Sequence, residues 1–260
     1  MKTGKLYFGS NLKMYKGVAE TAAYLTELQR LTADLDREGI ELFILPSYTA
    51  LPEAARVTDQ KLIRLGAQNM GWDEEGQFTG EISCRMLAEL GIGMIMAGHS
   101  ERRHVFRETD EDEQRKVRCA LDHGMIPLLC VGETAEDKRY GVSREVLAMQ
   151  LKIGLFGLAS EEASRLRVAY EPVWSIGVNG TPAEPAYAEK MHASIKSTLR
   201  EILGEAGDRV PVLYGGSVNP GNARELITLP SVDGLYVGRS AWQADRFDTL
   251  IRDALAACGR

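Results

Sequence analysis

The strongest constraint in this chain is a rhythm. Short, nearly unbroken apolar runs recur between longer amphipathic stretches. The strand candidates are Leu6–Asn11, Glu41–Pro46, Arg64–Asn69, Gly93–Gly98, Ile126–Gly132, Arg167–Trp174, Val210–Gly216 and Asp233–Gly238. Helical patterns lie between them, among them Val18–Leu35, Asp110–His123, Ser143–Phe156, Tyr187–Leu203 and Asn219–Leu229. Runs such as Leu42-Phe43-Ile44-Leu45 and Met94-Ile95-Met96-Ala97 carry no polar alternate. Both faces of such a strand must be buried, as in a parallel sheet covered by helices. Eight β-then-α units without a Pro/Gly/Ser-rich linker fit an α/β fold closed as a (β/α)8 barrel, a single domain over residues 1–260. A doubly wound open sheet is the alternative, but the last unit leaves no obvious second domain to accompany it.

Composition narrows the partners. With 44% hydrophobic and 26% charged residues the chain has the makings of a soluble globular protein with a large core. A net charge of -6 without basic runs argues against nucleic acid or an anionic membrane as the main partner. Met1-Lys2-Thr3-Gly4-Lys5 leads straight into a strand and has no signal-peptide core. No apolar run reaches the roughly 18 residues that span a bilayer. Cys84, Cys119, Cys130 and Cys258 are scattered without a Cys-x-x-Cys pair, and Cys119 and Cys130 read as core. His104, His123 and His192 stand in no zinc-like spacing. A reduced cytoplasmic protein without metal is the simplest account.

In a barrel the chemistry sits at the C-terminal mouths of the strands. Polar residues gather there: Asn11 and Lys13 after the first strand, Gln68 and Asn69 after the third, and Gly98-His99-Ser100-Glu101-Arg102-Arg103 after the fourth. Glu171 ends the sixth apolar run, just before Pro172, whose missing N–H stops a ladder. The small-residue segment Gly177-Val178-Asn179-Gly180-Thr181-Pro182-Ala183 follows. A carboxylate beneath a hinged loop is the layout of a base under a lid; taken alone, Glu171 also fits a solvent-exposed strand cap. If a helix starts at Ser100, its N–H groups face His99 and favour a neutral imidazole able to polarise a carbonyl. The alternative is a loop histidine beside an ion-pair cluster of Glu101, Arg102 and Arg103. Lys13 can neutralise an anion, or serve as an ordinary surface lysine. Gly215-Gly216-Ser217 and Gly238-Arg239-Ser240, after the last two strands, offer backbone N–H groups to a phosphate. No nucleotide-binding fingerprint is present.

At these residues the chain resembles the triosephosphate isomerase family over nearly its whole length. The resemblance rests on Asn11-Leu12-Lys13-Met14, Phe78-Thr79-Gly80-Glu81, Gly98–Arg103, Cys130-Val131-Gly132-Glu133-Thr134, Ala169–Gly177 and Tyr214-Gly215-Gly216-Ser217-Val218. It implies a TIM barrel and cofactor-free aldose–ketose isomerisation of a short phosphorylated sugar through an enediol(ate). By the resemblance Glu171 is the proton-shuttling base, and His99 is the electrophile that moves protons between the two oxygens. Lys13 supplies positive charge, Asn11 orients substrate, and Glu101 supports the site. Gly177, Ser217, Gly238 and Arg239 would hold the phosphate. A homodimer is also implied, the loop Gly76–Ile82 docking on a neighbouring subunit near Met14.

Two departures matter. Arg239 stands where the family usually has a second glycine, and the lid is about one residue longer before Pro185. The Gly-Arg-Ser-Ala-Trp run is similar to that of the tetrulose-phosphate isomerases of erythritol-type catabolism. That branch implies an erythrulose phosphate as substrate, L-erythrulose 1-phosphate to D-erythrulose 4-phosphate, rather than the glycolytic triose phosphates. A barrel that merely binds a sugar phosphate would not need Glu171, His99 and Lys13 together. An aldolase or an indole-forming synthase would need a Schiff-base lysine or a larger pocket, and no lysine falls inside a strand candidate.

Overall fold

The computed structural model describes residues 4–177 and 180–260. Eight parallel strands close into a barrel in chain order: β1 Leu6–Asn11, β2 Ile40–Leu45, β3 Arg64–Ala67, β4 Met94–Ala97, β5 Ile126–Val131, β6 Arg167–Tyr170, β7 Val212–Tyr214 and β8 Gly234–Val237. Helices α1 (Val18–Leu31), α2 (Leu51–Val57), α3 (Cys84–Glu89), α4 (Ser100–His104), α5 (Asp110–Asp122), α6 (Ala135–Tyr140), α7 (Ser143–Gly154), α8 (Pro185–Leu203), α9 (Ala223–Thr228) and α10 (Ala244–Ala257) fill the connections. None of them is long and apolar enough to cross a membrane.

The doubly apolar strands build two cores. Tyr7, Phe43, Leu45, Met94, Met96, Leu128, Cys130, Ala169, Leu213 and Tyr236 pack together inside the barrel. Their neighbours one residue away, such as Leu42, Ile44, Ile95, Leu129 and Val168, join the outer layer under the helices. This is the period-2 alternation of a strand, realised with apolar residues on both sides. The same parity carries Asn11, two after Gly9, and Glu171, two after Ala169, toward the barrel axis.

Only β1 keeps its expected bounds; the other strands end one to four residues earlier than the apolar runs suggest. The residues cut off are glycines, prolines and mouth residues such as Gln68, Asn69 and Glu171. The largest difference is after β6, where Pro172 ends pairing and Val173–Ser175 forms a 3-10 turn. The helix expected from Asn219 starts at Ala223, because Asn219 first accepts the Gly221 N–H in a turn around Pro220. Conversely α8 begins at Pro185, since proline suits a first helical turn.

Beneath α5 lies a buried charge network. Lys116 Nζ is 2.7 Å from Glu108 and 2.9 Å from Asn69 Oδ1, and Arg102 also bonds Glu108. Burial disfavours ionised Glu108, but the hydrogen bonds from Arg102 and Lys116 outweigh it and hold its carboxyl below the usual range. Glu113 is fully buried and only 3.8 Å from Lys116; burial pushes it up to about 7. The folded protein therefore holds a proton that the unfolded chain has already lost between the ordinary carboxylate range and neutrality. Stability must fall as pH rises through that window. Glu113→Gln is expected to be more stable than wild type at pH 8, by roughly 1–3 kcal/mol. The two proteins should converge near pH 4. Urea midpoints measured across pH check this, and a difference that does not grow with pH removes the assignment.

Candidate active site

The mouth of β1 is held in a strained backbone. Lys13 adopts φ 52, a left-handed conformation that costs a non-glycine residue about 1–3 kcal/mol. Both its peptide groups are clamped: its N–H donates to Asn11 Oδ1 at 2.7 Å, and its carbonyl accepts from Gln68 Nε2 at 2.9 Å. Trp242 Nε1 donates to the Asn11 carbonyl at 2.9 Å. The constraint points Lys13 Nζ at Glu101 Oε1, 2.6 Å away.

Gly98 ends β4 at φ 75, and a Cβ there would stand 2.7 Å from Arg103 Nη2 and 2.8 Å from the Cys130 carbonyl. Only glycine fits, and the turn it makes delivers His99 to the mouth. His99 caps α4: its Nδ1 accepts the Glu101 N–H at 3.1 Å. An acceptor nitrogen carries no hydrogen, so the ring's hydrogen sits on Nε2. Nε2 faces Glu171 Oε1 at 3.4 Å, both side chains being nearly buried at 4% and 3% exposure. The expected cluster of Glu101, Arg102 and Arg103 is taken apart: Glu101 pairs with Lys13, Arg102 with Glu108, and Arg103 with Asp110.

Glu171 is placed by its backbone and parked by its side chain. Its N–H donates to the Val131 carbonyl at 2.7 Å, and its Oε2 accepts the Ser100 N–H at 3.1 Å. The chain passes so close to Gly132 that a Cβ on that residue would lie 1.9 Å from the Glu171 carbonyl oxygen. Below it the buried Cys130 thiol is pushed well up, first by burial and then by the charge of Glu171. Trp174, where the lid begins, is anchored by its Nε1 on Glu133 Oε1 at 2.9 Å, and Lys138 Nζ lies 3.4 Å over its ring. Of the expected lid, Val178 and Asn179 lie outside the described residues.

Also lining the cavity, Gly177 takes φ 93, and the Ser217 N–H donates to Ser175 Oγ at 3.0 Å. Gly238 has open space where a Cβ would be. Arg239 starts a 3-10 turn after β8 and is exposed at the cavity edge, with no partner for its guanidinium among the described residues. Trp242, three residues on, packs its ring against Tyr15 in a tilted pair, centroids 4.4 Å apart.

The structure brings every expected site residue, Asn11, Lys13, His99, Glu101, Glu171, Gly177, Ser217, Gly238 and Arg239, to one cavity of about 820 Å³. Asn69 departs from the mouth pattern, its side chain going to Lys116 in the outer layer. Four contributors escaped the sequence reading: Ser100, Ser175, Glu133 and Trp242. Ser100 and Glu133 sat within the conspicuous motifs. Ser175 and Trp242 also lay within stretches already singled out, Ala169–Gly177 and the Gly-Arg-Ser-Ala-Trp run, but their partners are remote in sequence.

A family model described as triosephosphate isomerase matches residues 6–254. The chain is 42% identical over 257 residues to L-erythrulose-1-phosphate isomerase of Rhizobium etli, covering 98% of this chain and 94% of that protein. It is 43% identical over 252 residues to the Mesorhizobium japonicum protein of the same name, covering 96% and 98%. Triosephosphate isomerase of Fusobacterium nucleatum is 39% identical over 249 residues, covering 95% and 98%. The crystal structure of triosephosphate isomerase from Bartonella henselae superposes with a TM-score of 0.85 at 33% identity, covering 96% of this chain and 98% of that one.

Proposed function

The chain belongs to the triosephosphate isomerase family, and on that premise we propose that it isomerises a four-carbon keto-phosphate, L-erythrulose 1-phosphate to D-erythrulose 4-phosphate. The observation that carries the reading is the buried His99–Glu171 pair, 3.4 Å apart, facing one cavity with Lys13 and with Arg239, whose guanidinium has no partner among the described residues. The reaction is of the aldose–ketose isomerase type, although here both sugars are ketoses. Glu171 leaves the Ser100 N–H and takes the proton from the carbinol carbon beside the carbonyl. The electrons pass into a double bond between the two carbons, and the oxygen acquires charge next to His99 Nε2–H and Lys13. His99 carries a proton from one oxygen to the other, and Glu171 returns its proton to the former carbonyl carbon. The step is redox-balanced within the substrate. In the same cavity the phosphate takes the Ser217 N–H from Ser175 Oγ, exchanging a neutral acceptor for a charged one.

A coupled assay on triose and tetrulose phosphates side by side tests the reading. Faster turnover of the tetrulose phosphates supports it. Fast triose turnover with tetrulose phosphates neither converted nor inhibitory would assign the glycolytic reaction instead, and no turnover of either would leave a sugar-phosphate binder.

We also place the protein in the cytoplasm, in keeping with four free cysteines, and assign it a homodimer. Phe78 is 42% exposed at the tip of a glycine-flanked loop, its ring edge-on to Trp72 at 5.9 Å, while Met14 is 95% exposed. Such apolar groups are poor company for water. Light scattering at micromolar concentration is expected to give twice the chain mass of 28.7 kDa; a monomer mass removes the assignment.

A further inference from the structure

The outer layer holds a cluster that isomerisation does not use. Cys84 opens α3, while Cys119 and His123 stand one turn apart at the end of α5, a spacing the sequence reading passed over. One ligand atom from each of the three lies within 4.8 Å of the others, and Cys119 Sγ is 3.9 Å from His123 Nδ1. Both sulfurs are buried in the outer core, whereas the His123 side chain keeps 24% of its surface and so opens a path from solvent. The other ring nitrogen, Nε2, meets Glu74 Oε1 at 2.8 Å. A carboxylate behind a histidine is the arrangement that orients a metal-ligating imidazole; the remaining nitrogen, Nδ1, sits 2.8 Å from the Cys119 carbonyl and 3.9 Å from Cys119 Sγ.

We infer that Cys84, Cys119 and His123 form a site for a zinc-class cation, bound by two thiolates and Nδ1 with solvent in the fourth position. In a tetrahedral zinc centre such donors stand about 3.5–3.8 Å apart, so the site closes with movements of about 1 Å or less. Two thiolates and a neutral imidazole cancel a dication, so the loaded site puts no net charge into the apolar layer. The sulfur-rich donor set selects zinc, cadmium or cobalt over magnesium or calcium. On loading, the ion replaces the two thiol protons and any proton on Nδ1, which now rests 2.8 Å from the Cys119 carbonyl. None of the three residues lines the cavity of the proposed reaction. The ion is therefore a staple between α3, α5 and the Glu74 loop.

Cobalt(II) titration of the full-length protein, followed by zinc competition, tests the site. Thiolate-to-cobalt charge-transfer bands with tetrahedral absorption, displaced by one equivalent of zinc, are expected, and zinc should raise the melting temperature. Cys84→Ser and His123→Asn should lose the bands, and Glu74→Gln should weaken zinc binding by about 10–100-fold. Circular dichroism verifies folding, and the part-exposed His123→Asn carries the test if the buried cysteine variant does not fold. An octahedral cobalt spectrum, unaltered zinc affinity in His123→Asn, or a Cys84–Cys119 disulfide in the isolated protein would overturn the proposal.

Discussion

Glu171→Gln is expected to lower kcat by about 10²–10⁴-fold, the range for removing a general base. The variant should fold as wild type does. The amide oxygen can still accept the Ser100 N–H, and the backbone bond from residue 171 to Val131 is untouched. Shape is conserved in the tight space between Gly132 and Gly215, where even a Cβ on Gly215 would come within 2.9 Å of Glu171 Cγ. What disappears is the capacity to accept a proton from carbon, because an amide is not a base at any pH the protein survives. KM should move little, since the proposed phosphate contacts are made by other residues, Ser217 among them. Purified variant with an unchanged melting temperature and near wild-type turnover would take the base assignment away from Glu171.

The second large effect concerns Arg239. Its guanidinium has no acidic partner among the described residues and lines the cavity beside Gly238, where the proposed function puts the phosphate. A charge-assisted bond to phosphate is worth about 1.5–3 kcal/mol. Arg239→Gly is therefore expected to reduce kcat/KM by roughly 10–150-fold, mainly through KM, on triose and tetrulose phosphates alike. The extra hydroxymethyl carbon of a tetrulose lies beyond the reacting carbons, at the end away from the phosphate. The preference for four carbons, about 10–200-fold at most for one added carbon, should thus survive in the variant even as both activities fall. Saturation curves for both substrates, wild type against variant, decide the point. An unaltered KM would mean that Arg239 points into solvent during turnover.

How much of this could be read before folding follows from the range of each interaction. The barrel and its mouths are local facts: a strand has period 2, Pro172 stops one ladder, and paired glycines open turns. A run such as Met94–Ala97 has to be covered on both faces. From that alone Asn11, His99, Glu171, Ser217 and Gly238 fall at one end of the fold. Other features depend on which distant segments closure of the barrel places side by side. Gln68 clamps Lys13 in a left-handed backbone because β3 neighbours β2, whose Leu45 carbonyl shares the same amide. Ser217 meets Ser175, Trp242 reaches back to Asn11, and Asn69 turns away to Lys116, each contact set by register between elements. Cys84 and Cys119 lie on different helices and are scattered in sequence, Cys119 reading singly as core; only the packing of α3 beside α5 makes them neighbours of His123. Side-chain periodicity is encoded within a few residues, so the sequence determined the barrel and the direction that Asn11 and Glu171 face. Partners that converge from separate βα units have no local signature, and the tertiary structure alone decided them.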